Sequence, residues 1–255
     1  MSVETQRPPA KAGGSLDKAP QKIAGMFDAI AGRYDLLNTV LSAGLDRYWR
    51  RRAINSLQLT GRERLLDVCT GTADVAIGAA RRAAGARRVV GVDFSKEMLL
   101  RGGDKLREAS LGERIRLIRG DATALPVADA SVDAATIAFG IRNVQRVDLA
   151  CLELLRALRP GGRLAILEFG LPVVPAVRPL YLWYFRHILP RIGRAVSRHD
   201  MAYEYLPASV GAFQYGDEFA KILATAGFSH IRARPLSFGI VYLYEAVKPR
   251  GPEAV

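Results

Sequence analysis

Cysteine and histidine are scarce in this chain of 255 residues, and each shortage removes a class of answer. Cys69 and Cys151 have no CxxC spacing and no histidine cluster beside them, which argues against a disulfide framework or a zinc site and fits a reducing compartment. No metal is expected. No uninterrupted apolar run reaches the roughly 18 to 20 residues of a spanning helix, and the N-terminus lacks the charged-then-apolar order of a signal. A soluble, cytoplasmic protein is the expectation. Phosphate-binding patterns are missing as well: neither G-x-x-x-x-G-K-[ST] nor G-x-G-x-x-G occurs. Lysine is rare, since 30 of the 37 basic residues are arginine, spread along the chain under a net charge of +12. Such a surface attracts nucleic acid or anionic lipid without saying which, and a merely solvated arginine-rich surface is an equal alternative.

What is present centres on Arg64 to Asp74, RLLDVCTGTAD. Leu65, Leu66 and Val68 predict a short strand, Thr70-Gly71-Thr72 a turn, and Ala73 to Ala84 a helix. A glycine in such a turn lets a ligand approach the backbone, and the helix start offers unpaired amides. A second strand, Arg87 to Asp93, ends in an acid 22 positions past Gly71, where a βαβ unit places the carboxylate that binds a ribose. Asp74 sits where a pyrophosphate would lie and would repel one. A cationic, phosphate-free nucleoside such as S-adenosylmethionine fits better.

The first 21 residues, rich in proline and glycine, read as a disordered tail, and 22–255 as one domain. Within it, 22–59 hold two or three N-terminal helices, 60–169 the cofactor-binding core, 170–215 a lid or substrate segment, and 216–248 a helix and hairpin. Ser95 is expected to cap a helix over Lys96 to Ala109, and a third strand, Ile115 to Arg119, is closed by Asp121. Asp67, Asp93 and Asp121 would then share the carboxyl edge of parallel strands, with Asp121 placed for an adenine amine. Ser131 to Phe139 predicts a fourth strand, followed by the loop pair Arg142-Asn143. A helix over Asp148 to Leu158, a turn at Arg159 to Gly162 and a fifth strand, Arg163 to Phe169, complete a doubly wound parallel sheet. The aromatic and arginine-bearing stretch after Phe169, with Trp183, Arg178, Arg186, Arg191 and Arg194, suits a lid over an apolar substrate, a membrane interface, or plain packing. His187 and His199 read as structural or surface groups. Helices over Met201 to Phe213 and Glu218 to Ala226 precede a hairpin, Phe228 to Arg234 with Phe238 to Val247, that adds an antiparallel edge.

LLDVCTGTAD, GVDFSKEM, GDATALPV, AFGIRNV and LRPGGRLAILEF occur in an order that resembles the quinone-ring C-methyltransferases of menaquinone and ubiquinone biosynthesis. YDLLNTVLSAGLDRYW, LPRIGRAVS and YEYLPASV resemble the family's other signatures, so the likeness spans about Lys22 to Lys248. Departures are Ala73 for a glycine, Asp46 for a usual histidine, Arg159 for lysine, Gly170 for a frequent serine, and Ala138 for a serine whose hydroxyl contact is therefore not carried over. The resemblance implies a Rossmann-like class I methyltransferase: a seven-stranded, mostly parallel sheet with N-terminal helices and an antiparallel C-terminal hairpin. It gives Thr72, Asp93, Asp121 and Ala122 contacts to S-adenosylmethionine, beside Asp67 and Gly71 from the turn. The implied substrate is a polyprenylated demethylmenaquinol, a naphthoquinol favoured by the CTGTAD turn, with the benzoquinol of ubiquinone synthesis as the alternative.

Ring carbon becomes nucleophilic when a ring hydroxyl loses its proton, so a cation beside the phenolate is required. Arg142 is the leading candidate, acting electrostatically because arginine stays protonated. Asn143 and Tyr34 are candidate orienting groups, and the proton could leave through water to Asp148 or another acid. Two rivals stand beside this reading. A nucleic-acid methyltransferase would suit the charge, but no [DN]-P-P-[YF] motif occurs and neither cysteine follows a proline. A non-catalytic quinone- or lipid-binding protein would not need its acids intact. No nucleic-acid partner is expected, while peripheral membrane contact and homo-oligomerisation stay open.

Overall fold

The computed structural model describes residues 18–82, 84–188, 191 and 200–251. Of the expectations above, the tail over 1–17, Arg194, His199, most of LPRIGRAVS and the side chain of Arg186 fall outside the described residues. The N-terminal part folds as α1 (Pro20–Ile30), α2 (Tyr34–Leu41) and α3 (Leu45–Ser56). Helix α1 starts two residues before the expected Lys22, because Pro20 occupies the first turn, where its missing amide costs nothing. There follow β1 (Arg64–Val68), α4 (Asp74–Ala80), β2 (Arg88–Asp93), α5 (Lys96–Glu108), β3 (Ile115–Arg119), β4 (Val132–Ala138), α6 (Val147–Ala157) and β5 (Leu158–Phe169). The C-terminal part holds α7 (Val177–Trp183), α8 (Asp200–Ala212), α9 (Asp217–Thr225), β6 (Ser229–Leu236) and β7 (Val241–Val247).

The strands form one sheet in the order β3-β2-β1-β4-β5-β7-β6, parallel except where β7 pairs with β5 and β6. This is the seven-stranded doubly wound arrangement expected, hairpin included. Strand order reverses between β1 and β4, whose carboxyl ends open the crevice in which such sheets bind ligands. Both faces are covered: Leu154, Phe219 and Leu223 pack on one, and Trp49, Ile54, Ala76 and Leu106 on the other. As predicted, Ser95 caps α5, its Oγ accepting from the Met98 amide at 3.2 Å.

Two local expectations fail for physical reasons. Helix α4 stops at Ala80 instead of Ala84, and the chain folds back so that the Ala86 amide reaches the Ala79 carbonyl at 3.2 Å. Gly85 makes that fold possible, since a Cβ there would stand 2.3 Å from the same oxygen. The expected turn at Arg159 to Gly162 is instead an irregular opening of β5, bridged to the last strand by Gly161 N to Lys248 O and Lys248 N to Gly162 O. Gly161, at φ 78°, absorbs the shift without ending the strand.

One close approach carries the geometry of the crevice. A Cβ on Gly140, just past β4, would lie 2.3 Å from the Cβ of Cys69 in the turn after β1. Gly140→Ala is therefore expected to lower stability by about 1–3 kcal/mol through overpacking. Gly103→Ala, in α5 with nothing within 4 Å of the added carbon, is expected to raise it by about 0.4–1 kcal/mol. Denaturant midpoints of the two variants check both signs.

Candidate active site

Beyond β1 the chain passes through left-handed conformations at Cys69 (φ 55°), Gly71 (φ 55°) and Ala73 (φ 68°), turning tightly enough to bring its backbone to the ends of β2 and β4. Ala73 stands where the resemblance expects glycine, and it keeps the glycine conformation, which costs an L-residue about 1–2 kcal/mol. Two acids pin the turn. Asp67 accepts from the Thr70 hydroxyl at 2.5 Å, and Asp93 accepts from the amides of Gly71 at 2.8 Å and Ser95 at 2.9 Å. Burial pushes Asp67 up to about 7 and Asp93 up to about 6, the latter against the pull of its amide donors.

Gly71, Asp93, Asp121, Ala122 and Asn143 line a first cavity of roughly 120 Å³ at this edge. Its chemistry fits an adenosyl ligand with positive charge. Each Asp93 oxygen holds one amide and retains acceptor capacity for a ribose hydroxyl. Asp121 is held by the Thr123 amide and hydroxyl, both at 2.8 Å. Oδ1 of Asn143 is buried with no hydrogen-bond partner among the described residues, an acceptor awaiting a donor. Lys18, in the stretch assigned to the tail, also lines this cavity, its ammonium pulled below its ordinary value by burial and by the charge of Arg142.

A second cavity of roughly 580 Å³ adjoins the first, and Phe27, Tyr34 and Phe139 line both. Arg142 lines the second cavity and Asn143 the first, so the short turn Ile141–Asn143 sends neighbouring side chains into adjacent chambers. Aromatic rings pave the second: Phe139 and Phe169 lie 4.6 Å apart between centroids, and Trp49 packs edge-on to both. Tyr34 keeps its phenol protonated, since burial raises it above the ordinary tyrosine value while Asn38 bonds to it.

The guanidinium is fixed by Glu168, which is wholly buried at the end of β5. Glu168 accepts from Arg142 Nη1 at 2.8 Å and from the Arg142 amide at 3.1 Å. Nη1 also reaches the Phe139 carbonyl at 2.6 Å and Nε the Ser209 hydroxyl at 3.3 Å, with the group 5.3 Å from the Phe169 ring centre. Nη2 has no bond to any described residue and is the donor left for whatever fills the cavity. Glu168 and Ser209 were not among the expected site residues. An acid closing the apolar run RLAILEF was the available signal for Glu168; nothing local marks Ser209, which α8 brings in.

Three expected site residues lie elsewhere. Asp67 lines neither cavity, because it faces into the turn it holds. Thr72, also outside both, donates to Asp35 at 2.6 Å and accepts from Lys105, tying α2 to the turn. Lys105 pairs with Asp74 as well, and Asp28 on α1 bonds Ser95 and the Glu97 amide, so the N-terminal helices are clamped over the crevice. Asp148 is exposed at the start of α6 and bonded to Arg146, which holds its carboxyl at about 2. A carboxylate that weakly basic, outside both cavities, is not placed to take the ring proton.

The raised Asp93 gives the site a pH signature. Its ionised form, which favours a cation, fills in only as pH passes about 6. Affinity for S-adenosylmethionine is expected to be roughly fourfold weaker at pH 5.5 than at pH 7.5, with proton release on binding. Folding carries the opposite sign: stability contributed by protonated Asp93 and Asp67 is full below about 4 and lost as pH rises through about 6 and 7. Calorimetry in buffers of different ionisation enthalpy measures the first effect, and a pH-independent affinity would contradict it.

The sequence profile of the ubiE/COQ5 methyltransferase family matches residues 16–248. The ubiquinone/menaquinone biosynthesis C-methyltransferase UbiE of Syntrophotalea carbinolica is 48% identical over 223 residues, 88% of this chain and 92% of that one. The demethylmenaquinone methyltransferase of Bacteroides fragilis is 39% identical over 231 residues, 91% of this chain and 94% of its own length. Among solved structures, the [4+2]-cyclase SpnF matches with a TM-score of 0.68 and 20% identity, covering 94% of this chain and 100% of that one. A SAM-dependent methyltransferase from Aquifex aeolicus matches at 0.58 and 18% identity over 90% of this chain and 98% of its own. At such identities the structural likenesses speak for the fold alone. With the profile covering most of its length and such relatives beside it, the chain belongs to the ubiE/COQ5 methyltransferase family.

Proposed function

We propose that this methyltransferase transfers a methyl group from S-adenosylmethionine to a ring carbon of demethylmenaquinol, giving menaquinol in menaquinone biosynthesis. The observation that carries the reading is the pair of adjoining chambers, with Asn143 lining one and Arg142 the other. The names of the relatives point to a quinone ring as acceptor, and the paved, apolar second cavity suits a fused aromatic ring better than a charged substrate.

The donor supplies an electrophilic methyl on a sulfonium. Asp93 binds the ribose, Asp121 the adenine, and Asn143 offers its orphaned oxygen to a cationic part of the same ligand. In the adjoining chamber, Trp49, Phe139 and Phe169 hold the acceptor ring and exclude water. Arg142, through Nη2, stabilises the phenolate that makes the ring carbon nucleophilic. Glu168 keeps the guanidinium aimed, so the cation is not free to turn away. Tyr34, which lines both chambers, orients donor against acceptor.

The mouth of the second cavity is apolar and exposed at Val40, Leu45, Leu180 and Trp183, and no described helix is long and apolar enough to cross a membrane. We infer that this rim rests on the bilayer surface, where the polyprenyl tail of the substrate stays in lipid while the ring enters. The arginine-rich surface favours anionic headgroups.

A mass-shift assay with labelled donor tests the reaction. Short-tailed demethylmenaquinol is expected to gain one methyl; methylation of the benzoquinol counterpart alone would move the assignment to ubiquinone synthesis, and transfer to neither would refute it. Arg142→Ala would leave Glu168 as an unpaired buried charge and cost about 3–5 kcal/mol of stability, so the informative variant is Arg142→Lys. It keeps the charge and loses the forked geometry, and kcat is expected to fall on the order of 10²-fold with donor affinity nearly unchanged. Trp183→Glu is expected to weaken sedimentation with vesicles containing anionic lipid; unchanged sedimentation would argue against the rim as the docking face.

A further inference from the structure

We propose that the phenol of Tyr205 binds the second ring oxygen of the acceptor, the one that Arg142 does not reach. The inference rests on the quinol reading above and adds the residue that recognises a ring with two oxygens.

Tyr205 belongs to α8 and lines the second cavity. Its hydroxyl is out of water and has no hydrogen-bond partner among the described residues. A buried hydroxyl left unsatisfied costs free energy, and protein interiors seldom retain one without a use. Other polar groups that line the same cavity are engaged elsewhere: Ser42 and Arg50 are tied to Asp46, Tyr34 to Asn38, and the Tyr184 hydroxyl to the Leu41 carbonyl at 3.0 Å. Tyr205 and Arg142 line this apolar chamber together, and the Tyr205 hydroxyl has no acceptor among the described residues.

One helix brings both groups to the chamber: Ser209, about one turn beyond Tyr205 on α8, accepts from Arg142 Nε at 3.3 Å, and the charge of Arg142 acts on the Tyr205 phenol. A ring with two oxygens can then present one to the cation and the other to the phenol. Burial raises the Tyr205 phenol above its ordinary value, against the nearby charge of Arg142, so it remains an O–H donor at neutral pH. The cation then serves the oxygen that ionises, and the neutral phenol serves the oxygen that does not. A monohydroxy ring would leave Tyr205 unpaired, so the site discriminates against one.

The test compares wild type and Tyr205→Phe under anaerobic conditions with two compounds. One is short-tailed demethylmenaquinol as substrate. The other is the matching 3-prenyl-1-naphthol, lacking the second oxygen, as competitive inhibitor. Tyr205→Phe is expected to lower kcat/KM for the quinol about tenfold, with the naphthol inhibition constant and the S-adenosylmethionine affinity unchanged. An equal loss for both compounds, as from a merely structural residue, overturns the proposal, and so does an unaltered quinol kcat/KM. Wild type that methylates no quinol removes the parent reading and this one with it; active wild type beside an unaltered variant removes the Tyr205 assignment alone.

Discussion

The grip of Glu168 on Arg142 is the constraint from which the rest of the site follows. A carboxylate wholly out of water at the end of β5 requires a partner, and the turn after β4 supplies both a guanidinium and a backbone amide. Satisfying that acid sets the conformation of Ile141–Asn143. Because the chain reverses so tightly there, Arg142 and Asn143 face different chambers. A donor in one chamber and an acceptor in the other then meet where the two adjoin, at Phe27, Tyr34 and Phe139, and an in-line methyl transfer needs the reacting atoms in direct contact there, about 3–3.5 Å apart.

The N-terminal helices complete what the sheet begins. Without them the carboxyl edge of β1 and β2 would open to solvent, and neither cavity would have a roof. Phe27 and Tyr34 line both cavities, and polar clamps hold them there: Asp28 to Ser95 and Glu97, and Asp35 to Thr72 and Lys105. These contacts bind the helices to the turn that carries Gly71 and to the start of α5, the two segments beside the first cavity. Thr72 and Asp67, outside both cavity linings, tie the turn to its surroundings through Asp35, Lys105 and Thr70.

Residue patterns made much of this legible. Short apolar runs and glycine turns located β1 to β4 and β6 to within a residue or two, because these strands end at turn formers, whereas β5 begins five residues before and β7 three residues after the expected start. The crevice was legible for the same reason: Gly71, Asp93 and Asp121 stand at the carboxyl ends of strands whose parallel order follows from alternation with helices. What failed was orientation. Asp67 and Asp93 end neighbouring strands, yet only Asp93 lines the crevice, and no spacing rule distinguishes them. Asp148 follows Arg142 closely in sequence, but the start of α6 carries it out to solvent and into a pair with Arg146.

The sequence by itself determined the doubly wound sheet, the edge at which it binds a ligand and the family resemblance, since these depend on local periodicity and on motifs only a few residues long. Tertiary structure decided how the charges are shared. Glu168 and Arg142 lie 26 positions apart, and Ser209 another 67 from the arginine. Their meeting depends on β5 lying beside β4 and on α8 crossing the chamber, contacts that long-range packing creates and that no local pattern encodes.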